Sequence, residues 1–152
     1  MFTLVAIKQS NAHSINSEAN YYGATHSALI QVKSYRRLKN AGESPAFEHP
    51  YLVQAETLED FHGDIPKKFE YIFWGFEGPE GRGMMDKPVI LSFCQSKNGI
   101  YFMYENFAHI PATKDNINEF RRMSKAGNSD KDDHKCLSNF PHYNLDNYNP
   151  LL

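Results

Sequence analysis

The run Phe69-Glu70-Tyr71-Ile72-Phe73-Trp74-Gly75-Phe76 constrains the fold more than any other stretch. Aromatic and β-branched residues favour extended backbone. Here they occupy both faces, with Phe69, Tyr71 and Phe73 on one and Ile72, Trp74 and Phe76 on the other. A strand wet on one side alternates more cleanly. Either this strand is packed on both sides, which is the commoner case, or one aromatic face is a binding surface. Pro88 to Cys94 follows, with Val89, Leu91 and Phe93 on one face. Gln95-Ser96-Lys97-Asn98-Gly99 supplies a turn, since Asn-Gly readily takes positive φ, and Ile100 to Phe107 runs back. The three segments read as an antiparallel meander over 69–107.

The remaining segments are less distinct. Residues 2–9 alternate loosely and read as a strand; the polar residues 10–24 read as a loop carrying Tyr21 and Tyr22. Residues 27–41 fit two patterns. Ala28, Ile30 and Val32 alternate like a strand, whereas Leu29, Val32, Tyr35 and Arg36 approach helical spacing. The helix formers Arg36, Arg37, Leu38 and Lys39, with Gly42 beyond them, tip the balance to a helix. Pro45 and Pro50 interrupt regular structure. Residues 51–55 suit a short strand and Thr57 to Phe61 a single helical turn. Thr113 to Ala126 predicts a helix: Thr113 caps it, Asp115 suits its positive end, Ile117, Phe120 and Met123 form one stripe, and Gly127 stops it. The expected architecture is α+β, an antiparallel sheet of about four or five strands with two packed helices. Residues 1–127 form its single domain. Residues 128–152 form an irregular apolar strap that packs on the core or on a partner.

Charge and cysteine content limit the function. Lys and Arg number 16 against 18 Asp and Glu, a net charge of −2. That balance gives no bulk field for phosphate backbones, although a local basic patch is compatible with it. The start of the chain lacks a basic region ahead of an apolar stretch, and no apolar run reaches membrane-spanning length. The two cysteines, Cys94 and Cys136, are too few for a disulfide scaffold. They are expected as free thiols in a cytoplasmic setting, although their pairing is compatible with the spacing.

No phosphate-binding loop, dinucleotide fingerprint, nucleophile elbow or paired Cys-x-x-Cys is present. His134, Cys136 and His142 form the best metal candidate, since imidazole and thiolate suit zinc; their spacing matches no common finger, so no cofactor is expected. His62 with Asp64, and His109, stand at predicted element ends. A histidine pair cleaves RNA without metal, one ring taking the 2′-hydroxyl proton and the other protonating the leaving oxygen. The loop from Glu77 to Lys87 carries glycines and Arg82, which suit a nucleotide phosphate, and Met84-Met85, which suit protein recognition. Aromatic residues and methionine are enriched at protein interfaces. The leading expectation is therefore a small binding protein of inhibitor, immunity or regulatory type, not an enzyme. It recognises a protein partner through Tyr21, Tyr22, Trp74, Arg82, Met84, Met85, Tyr143 and Tyr148. A homodimer is compatible with it. The alternatives are a metal-independent phosphodiesterase or ribonuclease using His62, Asp64 and His109, and a nucleotide-sequestering protein.

Overall fold

The structure is a computed structural model that describes residues 10–38, 49–96, 99–103, 109–127 and 136, with side chains from residue 17 onward. In chain order the elements are α1 (Ser10–Gly23), β1 (His26–Arg37), β2 (His49–His62), β3 (Lys68–Gly75), a 3-10 turn (Pro79–Arg82), β4 (Val89–Gln95), β5 (Tyr101–Met103), β6 (His109–Pro111) and α2 (Lys114–Ala126). The strands lie in the order β1-β2-β3-β5-β4, and β4 pairs back onto β1, closing a five-stranded barrel. β6 continues the position of β5 along β4, opposite Val89, Ile90 and Leu91. The chain is α+β, but the expected antiparallel meander is corrected. β3 pairs with β2 on one side and in parallel with β5 on the other, through Tyr71↔Tyr101 and Ile72↔Phe102. A meander requires a tight β3–β4 connection. Here the link instead forms a 3-10 turn, buries Met84 and carries the chain past the place that β5 takes. The β4–β5 hairpin is as expected, with Gly99 at φ +82° and its N–H donating to Ser96 O. The barrel is thus closed, with its third and fifth strands parallel.

β1 replaces the helix expected at 27–41. Its alternation of Ala28, Ile30 and Val32, all at most 2% exposed, outweighed the helix propensity of its polar end. Three register shifts against β2 bend it, so that one strand pairs with both β2 and β4. β2 runs unbroken through the predicted helical turn at 57–61. The expected loop at 10–24 is a helix. Its buried stripe, Ser17, Asn20, Tyr21 and Ala24, has helical spacing but is mostly small and polar, so hydrophobic periodicity does not show it. α2 forms as expected, with Asn116 N–H donating to Thr113 Oγ1 at its start. Its Phe120 and Met123 pack with Tyr21, Phe61, Ile90 and Ile110, and Arg121 grips Glu59 of β2 in a two-bond fork of 2.8 and 2.7 Å. The expected strand at 2–9 and most of the strap at 128–152 lie outside the described residues.

Register divides the barrel wall into two faces. Phe69, Tyr71, Phe73 and Phe93 point inward, where Phe93 meets the edges of Phe69 and Tyr71 at 5.4 and 5.1 Å between centroids. The Tyr71 hydroxyl is sealed in this interior with no hydrogen-bond partner among the described residues, and burial pushes its pKa far up. An orphaned buried hydroxyl destabilises. Tyr71→Phe is therefore expected to raise the unfolding free energy by about 1 kcal/mol, read from urea midpoints at unchanged slope; a loss of that size would mean the hydroxyl has a partner after all. The outward face splits in two. Gln54, Glu56, Lys68 and Glu70 are wet or half-wet, whereas Leu52, Ile72, Trp74, Phe102 and Cys94 are at most 5% exposed. β3 is thus packed on both faces over most of its length, and Phe76, just beyond it, is 64% exposed.

Cys136 sits on that dry outer patch, in a disulfide with Cys94 across a Cα–Cα distance of 5.7 Å. The expectation of free thiols is corrected. A two-cysteine chain offers no spacing pattern from which to read such a bridge. The bridge also removes the thiolate from the His134, Cys136, His142 metal candidate, whose histidines lie outside the described residues. Among the described residues no helix is long and apolar enough to cross a membrane.

Candidate functional site

The wet half of the outer face forms a groove of about 490 Å³ across β1, β2 and β3. Its position follows from strand geometry. Gln54 pairs with Glu70, and Glu56 with Lys68, so four polar side chains of two neighbouring strands point the same way. Lys33 joins them because it stands in a register shift between Val32 and Ser34, which turns its side chain onto this face. Ala55 and Phe69, the inward partners between these pairs, form the floor. A recess of about 90 Å³ at Ser34, Tyr35 and Arg36 adjoins it through Gln54.

The polar groups are held by one another. Lys33 Nζ and Lys67 Nζ lie 3.4 and 3.2 Å from the two oxygens of Glu56. Hydrogen bonds from Lys67 and Lys33 hold that carboxyl below its ordinary pKa. Ser34 Oγ donates to Gln54 Oε1 at 2.8 Å, and Gln54 Nε2 donates to Glu70 Oε1 at 3.1 Å. Exposed ion pairs of this kind add little stability; their effect here is to fix the lysines and the amide in place. Lys68 makes no ion pair among the described residues. The face therefore offers three lysines, two carboxylates and one amide, and among the described residues lining the groove the one aromatic ring is Phe69, in its floor.

A second polar cluster lies at one end of the barrel, where β1 begins and β2 ends. Thr25 Oγ1 donates to Phe93 O at 3.1 Å, so at 2.7 Å it accepts from His26 Nδ1–H. His62 Nδ1 donates to Tyr21 O at 3.3 Å, a carbonyl having no proton to give. The neutral His26 ring thus carries its proton on Nδ1. His62 stacks on Tyr21 at 4.8 Å, and His26 meets the edge of Tyr101 at 5.3 Å. Gly63, at φ +70°, lets the turn after β2 close against the His26 ring, where any Cβ would collide. Burial lowers the His26 pKa, nearby His62 lowers it further, and Asp64 opposes the shift. Burial raises the Asp60 carboxyl, and Asp64 adds to the rise.

The structure brings His62 and Asp64 together, but with His26 instead of His109. In register His62 faces Ser27, Ser27 faces Ser92, and His109 faces Leu91, so β1 and β4 stand between the two histidines. His109 has its Nδ1 buried without a partner among the described residues, and its pKa is lowered by burial and by Arg82. Arg82 itself lies over the Phe73 ring at 5.2 Å. No motif marks His26; reading 26–37 as a strand would have set it beside the end of β2. Of the expected interface residues, Tyr21, Trp74 and Met84 are at most 2% exposed, whereas Tyr22 and Met85 are half-buried. Tyr143 and Tyr148 lie outside the described residues. Among the described residues no group of three or more histidine, cysteine or acidic side chains is placed to hold a metal ion. No protein-family model matches the sequence, and no curated protein matches it.

Proposed function

We propose that the chain is a binding module, not an enzyme, and that the groove over β1–β3 takes an extended segment of a protein partner. The observation that carries this reading is the hydrogen-bonded array of Lys33, Gln54, Glu56 and Glu70 around an open groove. A polypeptide offers donors, acceptors and charges of both signs, and a mixed, pre-positioned array favours such a ligand. Single-stranded nucleic acid fits less well, because it requires a cationic track with outward rings for base stacking. Glu56 and Glu70 interrupt the track, and the rings of β3 face inward or lie dry. A phosphodiesterase at the histidine end is disfavoured by Asp60 and Asp64, which repel an anionic substrate.

A peptide-display selection against the folded chain tests the reading, with Lys68→Glu/Glu70→Lys as the counter-selection target. Peptides that shift the amide signals of Gln54, Lys68 and Glu70, and lose roughly tenfold affinity or more on the variant, support it. Binders indifferent to the swap, or groove signals that respond only to oligonucleotides, overturn it. RNA or cyclic-nucleotide cleavage that His62→Ala abolishes would replace it with the enzymatic reading.

A further inference from the structure

The charged groups on the wet outer face are not equally committed. Glu56 is saturated, with Lys33 Nζ 3.4 Å from one of its oxygens and Lys67 Nζ 3.2 Å from the other. Lys68 stands opposite Glu56 in register, but the other two lysines already hold that carboxylate, and Lys68 makes no ion pair among the described residues. Glu70 is held on one side only. Ser34 Oγ donates to Gln54 Oε1, which turns the amide so that its Nε2 donates to Glu70 Oε1 at 3.1 Å. No cation is paired with Glu70 among the described residues. Both Lys68 and Glu70 are exposed, and they flank Phe69 in the groove floor. The groove thus presents one uncommitted charge of each sign, two residues apart on β3 and about 7 Å apart along the strand.

Resting on the groove reading above, we propose that the segment bound there carries an acidic and a basic side chain two positions apart, and that Lys68 and Glu70 select the order of that pair. An extended chain repeats its side-chain direction every second residue, at the same spacing as β3. Its acid therefore lies over Lys68 while its base lies over Glu70, and the residue between them points away. A single exposed ion pair contributes little. Order is read more strongly than either pair, because exchanging the two charges of the segment replaces two attractions by two repulsions. Two other occupants match less well. A nucleic-acid strand brings one sign of charge only and meets Glu56 and Glu70. A second copy of this chain would set Lys68 against Glu70 in both directions about a two-fold axis. It would also bring a whole second barrel wall to an open groove of about 490 Å³, which suits a single extended chain better.

The test presents the full chain with displayed peptide libraries whose flanks are randomised around two fixed charges two positions apart: acid then base, base then acid, two acids, or two bases. The wild type should enrich one order of the mixed pair, and Lys68→Glu/Glu70→Lys should enrich the opposite order. Synthetic peptides from the wild-type selection should lose roughly tenfold affinity or more when their two charges are exchanged, and regain it on the exchanged protein. The exchange keeps composition and net charge, so a bulk charge effect does not mimic it. Peptides that shift the Lys68 and Glu70 amide signals but bind equally in both orders overturn the inference and leave the groove reading standing. Absence of any peptide at the groove, or amide shifts there from oligonucleotides only, overturns both. Shifts of these amides that grow with protein concentration in the absence of peptide assign the face to a second copy and overturn the inference. Should the variant fail to fold, the exchange within the peptide decides on the wild type: a tenfold loss supports the selection of order, and no loss overturns it.

Discussion

Breaking the Cys94–Cys136 bridge is expected to lower the unfolding free energy by about 4 kcal/mol. The bridge joins residues 42 apart. Closing a loop of that size removes chain entropy from the unfolded state worth between about 3 kcal/mol, for 15 residues, and about 4.7 kcal/mol, for 100. Against a usual domain stability of about 5–15 kcal/mol, that is a large share. Urea melts of the oxidised chain, the reduced chain and Cys94→Ala/Cys136→Ala read it directly. The two uncrosslinked forms should share a lower midpoint. Their slope should be steeper, because an unfolded chain free of the bridge exposes more surface. Coincident oxidised and reduced melts would mean that the bridge contributes nothing. Such bridges persist in oxidising compartments and are rare where thiols are kept reduced. In a reducing setting the chain would have to fold with this stability missing.

The parts of the fold legible in the sequence are those where one local signal acts alone. α2 has a cap, a stripe and a stop within one short stretch, and its structure follows them. The Asn98-Gly99 turn likewise announces the β4–β5 hairpin. β1 carries two signals in conflict, and the deciding one is not local: pairing with β2 and β4 buries Ala28 and Ile30 completely. α1 hides because Ser17 and Asn20 occupy buried positions that a hydrophobicity pattern reads as polar. Barrel closure is the least legible feature, since the β3–β5 parallel pair joins segments whose partners no short-range pattern names. The groove has the same origin. Gln54, Glu56, Lys68 and Glu70 look like ordinary wet positions until β2 and β3 are set side by side and the shift at Lys33 adds a third strand. The aromatic residues mislead for the opposite reason. Their number suggests spare surface, but a barrel packed inside and dry over half its outer wall takes up Tyr21, Phe69, Tyr71, Phe73, Trp74 and Phe93.

Trp74→Ala is expected to cost about 4 kcal/mol of stability, within the range of about 3–5 kcal/mol for removing a buried Phe or Trp. Trp74 is the only tryptophan in the chain and is 1% exposed. Its emission should therefore be blue-shifted in the folded protein and move to the red only with global unfolding. Trp74→Phe keeps most of the packing and should cost less than about 2 kcal/mol. If Trp74 instead served an interface, its truncation would leave the urea midpoint unchanged and weaken only association. The outer patch links this outcome to the bridge. Cys94 pairs with Phe102, Phe102 with Ile72, and Ile72 lies two residues from Trp74 on the same face. Residues that share a packed patch do not contribute independently. Reduction of the bridge and Trp74→Ala should together cost measurably less than the sum of their separate effects, and the Trp74 emission should shift when the bridge alone is cut. Strict additivity with unmoved emission would separate the bridge from the patch and leave Cys136 as a tether only.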